Sequence, residues 1–263
     1  MDLQKELFVQ TSTAQVGNRI IQTFSCSLPY VGITVHTCDM ESPMTYSYIS
    51  FATKGRGNSG ELRRLEHLIF FGSDKCKRGK LDDFAIKCLS NGTNSWTATD
   101  HSCYTTKTAG YEEMNAIFPV YIHYFLFLTL TTQAFATDVH HIDEEGKDNG
   151  VVYNEMQSYY AVTYWISFFA LNQLQLEQNF PVSYETGGLI EYVRKLTLEE
   201  VREFHKMQYK PENIEVIQVV IISVDKLLKG LYSIVNEINE RFEKMNLPQF
   251  KRPFLEKAEK AQI

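Results

Sequence analysis

The chain has 263 residues, 44% hydrophobic and 22% charged, a globular composition with 17 Phe and 15 Tyr to fill a sizeable core. Its net charge of −6 argues against the basic surface that a nucleic acid or an anionic membrane selects. Five cysteines (Cys26, Cys38, Cys76, Cys88 and Cys103) form no CxxC pair and read as reduced thiols of a cytosol-like compartment.

Met1 to Ile20 holds Asp2 and Glu6 and no long apolar run. It has the features of neither a secretory signal nor an Arg-rich transit peptide, and the expected compartment is cytoplasmic. Residues 32–38 and 46–53 alternate with β-branched and aromatic residues, and Asp39 to Pro43 supplies turn residues, so a β-hairpin is expected there. A Gly/Asn/Ser loop, Lys54 to Gly60, leads into a helix over 61–71 that Gly72 closes. A short helix follows over 81–89. The Thr-rich run 91–100 reads as a strand, with its return over 104–108.

Tyr111 to about Leu128 is expected as a long buried helix. Its apolar core, 114–130, carries Asn115, Pro119 and His123 and falls short of the ~20 cleaner residues a membrane span needs. Thr129 to Phe135 is expected as a loop and 138–143 as an extended segment. His140 and His141 are neighbours there; on a strand they point to opposite faces and cannot share a metal. A helix is expected over 150–160, and another over 163–178 with Trp165, Phe168, Phe169, Leu171 and Leu174 as its core face. Thr197 to Glu200 is a capping box opening a helix that Pro211 stops. Ile214 to Ser223 reads as a central strand and Val224 to Met245 as an amphipathic helix. The expected layout is one domain over 1–254 and a charged tail over 255–263.

The chemistry concentrates in Gly60-Glu61-Leu62-Arg63-Arg64-Leu65-Glu66-His67. On a helix, positions 63 and 67 share a face and 66 sits beside them. Glu66-His67 is the second half of the inverted zincin motif His-x-x-Glu-His, in which two His bind zinc and the Glu polarises the attacking water. Here Arg63 stands where the first His would be.

This segment resembles the active-site helix of the pitrilysin/insulinase metallopeptidases, in particular the presequence-protease-like branch. Further blocks resemble that branch in the same order: Asn91-Gly92-Thr93-Asn94-Ser95-Trp96-Thr97-Ala98-Thr99-Asp100-His101, Gly150-Val151-Val152-Tyr153-Asn154-Glu155-Met156-Gln157 and Glu185-Thr186-Gly187-Gly188. The resemblance implies an α/β (α+β) fold: one antiparallel-rich sheet of about five or six strands with helices packed on one face. It implies Glu66 as the catalytic carboxylate and His67 and Glu155 as zinc ligands, with Arg63 at the lost ligand position. It implies Asn94 as a contact to peptide backbone on an edge strand that binds peptides by strand addition. Asp148 is similar to an acidic position beside the ligands, and organellar presequence proteases make a mitochondrial location the alternative.

A guanidinium has no free lone pair and stays protonated. Placed about 4 Å from a cation, each unit of like charge costs about 4 kcal/mol at an effective dielectric of 20. The expectation is therefore a pseudopeptidase, with Arg63 pairing Glu66 or Glu155 in place of zinc. The alternatives are an active zinc metalloendopeptidase working with a second peptidase-like chain, since the resemblance covers the first domain and not the second half, and a truncated fragment without function.

Overall fold

A computed structural model describes residues 7–90, 92–176, 180–247 and 250–254. The expected tail, 255–263, lies outside the described residues, as does Asn91. Nine strands and nine α-helices are described: β1 Phe8–Val16, β2 Arg19–Cys26, β3 Thr34–Cys38, β4 Thr45–Ala52, α1 Glu61–Leu68, α2 Lys80–Lys87, β5 Asn94–Thr97, β6 His101–Thr108, α3 Tyr111–Leu126, α4 Thr132–Asp138, β7 His141–Ile142, β8 Asp148–Asn149, α5 Val151–Tyr159, α6 Thr163–Gln175, α7 Ile190–Val193, α8 Leu198–Gln208, β9 Ile214–Val219 and α9 Val224–Met245.

The main sheet runs β1-β2-β3-β9-β4-β6-β5. It has seven strands rather than five or six, because residues 8–26 form a hairpin that sequence reasoning left unassigned, turning at Gly17 with φ +61°. The pairing is antiparallel except for β3 with β9. The expected hairpin of β3 with β4 does not form. β9 inserts between them, pairing Val35 with Val216 on one side and Ile49 with Val216 on the other. The run Ile214-Glu215-Val216 can bury apolar side chains in mid-sheet, whereas a direct β3–β4 pairing would leave β9 without a place in the core.

Alternation fixes which face is covered. Ile49 and Phe51 of β4, and Ile214 and Val216 of β9, are at most 1% exposed, while Tyr48 and Ile217 on the other face are about two-fifths exposed. Long α9 lies over the covered face through Leu227, Leu231, Val235, Ile238 and Phe242, its amphipathic stripe as expected. α3 is buried almost all round, with Met114, Ile117, Tyr121, Ile122 and Phe125 at 0% exposure. No helix among the described residues is long and apolar enough to cross a membrane. Between sheet and helices, Phe51, Tyr104, Phe125 and Tyr209 stack closely, and the Tyr104 and Tyr209 hydroxyls hydrogen-bond at 2.7 Å.

Two expected helical details fail. Thr129 to Phe135 is not all loop: Thr131 caps α4 by accepting from the Ala134 N–H. And α6, though helical, buries none of its residues; Tyr164, Ile166, Phe168, Leu171 and Leu174 are exposed. Its apolar residues run around the whole helix, so periodicity selects no core side.

Candidate functional site

α1 begins at Gly60, whose φ of +69° suits a residue without Cβ. A Cβ there would fall 1.9 Å from Arg64 Nη1 and 2.5 Å from the Gly187 carbonyl carbon. Leu62, Leu65 and Leu68 anchor the helix in the core, at 3% exposure or less. Arg64, fully buried one position past Arg63, donates from Nη1 to the Gly60 and Gly187 carbonyls. It thereby ties α1 to the 185–188 loop. Burial lowers its pKa to about 10, against the pull of Glu61 and Glu155.

The opposite edge of α1 carries Arg63, Glu66 and His67, and α5 brings Glu155 to meet them. Arg63 Nη1 donates to Glu66 Oε2 at 2.8 Å and Oε1 at 3.1 Å. Its Nη2 donates to Glu155 Oε1 at 2.6 Å, with Nε 3.4 Å from Oε2. One guanidinium thus bridges two carboxylates, the geometry in which Arg binds most strongly. His67 Nε2 lies 3.6 Å from Glu155 Oε2, and its Nδ1 lies 3.5 Å from Asp138 Oδ2. Both exceed good hydrogen-bond length.

No family model matches the chain. An uncharacterized protein of Caenorhabditis elegans is 37% identical over 227 residues, covering 86% of this chain and 23% of that protein. A mitochondrial presequence protease of Schizosaccharomyces pombe is 27% identical over 219 residues, covering 80% of this chain and 22% of that protease. The crystal structure of pitrilysin superposes with a TM-score of 0.67 at 13% identity, over 89% of this chain and 25% of pitrilysin. This is a pitrilysin-like peptidase domain. It spans between a fifth and a quarter of the length of the two relatives described above.

In this pitrilysin-like domain the motif residues gather, but not as a metal cage. The resemblance of the motif implies zinc at this place. Here the carboxylate oxygens of Glu66 and Glu155 face the Arg63 guanidinium, and a single imidazole, His67, stands beside them. Among the described residues no group of three or more His, Cys, Asp or Glu is placed to hold a metal ion. The donor set does not fit zinc, which takes four lone-pair donors in a tetrahedron.

Charge compensation favours the ionised forms of Glu155 and Arg63. His67 beside it, then Arg63 and the Tyr159 hydroxyl, against the cost of burial, hold the Glu155 carboxyl down at about 2. Burial works against the Arg63 charge, but Glu66 and Glu155 outweigh it and raise its pKa. Burial raises the Asp138 carboxyl, partly offset by His67.

Three residues of the cluster escaped sequence reasoning. Thr97, at the end of β5, donates to Glu66 Oε2 and joins the edge strand to the motif helix. Tyr159 donates to Glu155 Oε1 at 3.0 Å from one turn along α5, a spacing legible once Glu155 is singled out. Asp138 closes α4, and nothing in the sequence marks it. Asn94 sits exposed at the start of the edge strand β5. Asp148 lies apart from the cluster, paired with His140 at 2.7 Å and with Arg194. His140 and His141 have separate partners, His141 Nδ1 resting 2.9 Å from the Ala136 carbonyl.

Proposed function

We propose that this chain is a pseudopeptidase: a pitrilysin-like domain that binds extended peptides and does not cleave them. The observation that carries the reading is the Arg63 bridge between Glu66 and Glu155. Glu66, the residue matching the catalytic carboxylate, has its oxygens occupied by Arg63 and Thr97 and cannot act as a free general base. Glu155 and His67 match zinc ligands, and a fixed cation already occupies the space between the carboxylates.

Peptide binding rests on β5. It is the last strand of the sheet, so its outer backbone groups are open to an added strand, and Asn94 and Trp96 are exposed along it. A second peptidase-like chain facing this edge is the partner the reading favours. Residence is proposed in the cytoplasm, with the mitochondrion, named for the S. pombe relative, as the alternative.

The test is metal content by elemental analysis beside cleavage of a quenched fluorogenic peptide library. The unsubstituted chain is expected to carry less than about 0.1 zinc per molecule and to cleave nothing, whereas Arg63→His gains zinc because it restores a neutral imidazole. Stoichiometric zinc or peptide cleavage by the unsubstituted chain defeats the pseudopeptidase reading.

A further inference from the structure

Between α5, α6 and the loop ahead of α7 lies a hollow of about 390 Å³. Its walls are Met156, Tyr159, Trp165, Phe169 and Leu189, and its one charged lining residue is Glu185. The Tyr159 and Trp165 rings stand 4.9 Å apart, tilted at 32°. We propose that this hollow is a binding site for an ammonium group carried on an aliphatic stem, the chemistry of a lysine side chain.

Three observations carry the assignment. First, Glu185 is a carboxylate in apolar surroundings whose side chain accepts one long hydrogen bond, 3.3 Å from the Gly187 N–H. No ion pair within 4.0 Å reaches it among the described residues, and burial raises its pKa. Other carboxylates drawn out of solvent here have a cationic partner: Glu155 has Arg63, Glu215 has Arg252 and the fully buried Glu61 has Arg56. A desolvated carboxylate without one is costly, and a ligand cation would relieve that cost.

Second, the stretch 156–176, which forms the aromatic side of the hollow, supplies no cation, since it contains no Asp, Glu, Lys, Arg or His. Third, the aromatic walls suit a cation. Indole and phenol ring faces attract ammonium groups, and Met156 and Leu189 suit a methylene stem. A volume of this size lies at the small end of the range for ligand pockets and has room for a lysine-sized group. A neutral apolar ligand would fill the same walls but would leave Glu185 desolvated and unpaired. Tyr159 is shared with the Arg63 cluster through its bond to Glu155, yet the assignment holds whether or not that cluster is inert.

The chain has 2 Trp, so Trp96→Phe leaves Trp165 in the wall as the sole indole reporter. In that background, N-acetyl-lysine-methylamide and N-acetyl-norleucine-methylamide, equal in stem and differing in charge, are titrated against Trp165 fluorescence. Calorimetry on the unsubstituted chain repeats the comparison without the reporter substitution. The lysine derivative is expected to bind with saturation and about tenfold more tightly than the norleucine derivative. Glu185→Gln, which keeps the shape, should abolish that ratio without lowering the thermal melt, since it removes a desolvated charge. Equal binding of the two probes, a ratio indifferent to Glu185→Gln, or no saturable binding of either overturns the assignment. None of these readouts involves zinc or cleavage, so they succeed or fail independently of the pseudopeptidase reading.

Discussion

Glu66 is the most deeply placed member of the cluster, its side chain 2% exposed against 24% for Arg63 and for Glu155. A carboxylate at that depth is tolerable because a guanidinium and a hydroxyl meet it. Arg63→Ala should therefore strand it, at a cost of about 2–4 kcal/mol read from urea midpoints. Adding Glu66→Gln should return part of that loss, because a neutral amide needs no counter-ion. An unchanged midpoint in Arg63→Ala would show that the bridge contributes no stability. His205 makes a second residue-scale prediction. Its Nε2 donates to the Phe125 carbonyl at 2.6 Å, and burial pushes its pKa down to about 4. The fold thus prefers neutral imidazole. The stability His205 confers is complete above its ordinary pKa of about 6.5 and is lost as pH falls from there to about 4. His205→Gln, which keeps a donor, should flatten the decline over that window by about 1–2 kcal/mol. Urea unfolding at pH 7 and pH 4.5 measures it, and an identical slope in both proteins rejects it.

At the scale of elements, the site depends on two helices held at a fixed separation by a loop. α1 carries Arg63, Glu66 and His67; α5 carries Glu155; and residues 185–188 pack between the start of α1 and Met156 of α5. Arg64 reaches from α1 to the Gly187 carbonyl, and Gly187 in turn rests on Met156 of α5. Gly188 has φ +79° and would place a Cβ 2.8 Å from Ser59 backbone atoms just ahead of α1. Gly188→Ala is expected to cost about 1–3 kcal/mol, since neither the backbone of Ser59 nor the left-handed conformation can yield cheaply. It should also loosen the Arg63–Glu155 contact, visible as faster side-chain exchange of the Arg63 guanidinium protons by NMR. A variant as stable as the parent would show that the loop adapts. In the same way Thr97 couples the open edge strand to Glu66, so the site and the strand nearest it are one mechanical unit.

For the whole molecule, the sheet order sets where stability resides. β9 is enclosed on both sides by β3 and β4 with Ile214 and Val216 in the core, whereas the tip of the β1–β2 hairpin projects into solvent, Val16 and Ile20 being 62% and 59% exposed. Amide exchange is expected to be slowest in 214–219, opening with global unfolding, and fastest around the Gly17 turn. Exchange of both segments at one rate would contradict it. Contacts between β3 and β9 close a long loop, so this pairing also demands the largest entropic outlay during folding.

The sequence alone determined the elements whose signals are local. The Thr197–Glu200 box, the Val224–Met245 stripe and the Glu66-His67 dipeptide were legible because capping, helical periodicity and motif spacing act over a few residues. Resemblance extended this to Glu155. Only the tertiary structure decided that β9 separates β3 from β4, that α6 keeps its aromatics at the surface, and that Arg63 faces both carboxylates with Asp138 behind His67. Those outcomes are long-range: they turn on which surfaces meet after the chain has folded back, and a buried charge selects its partner from every residue within reach rather than from its neighbours in sequence.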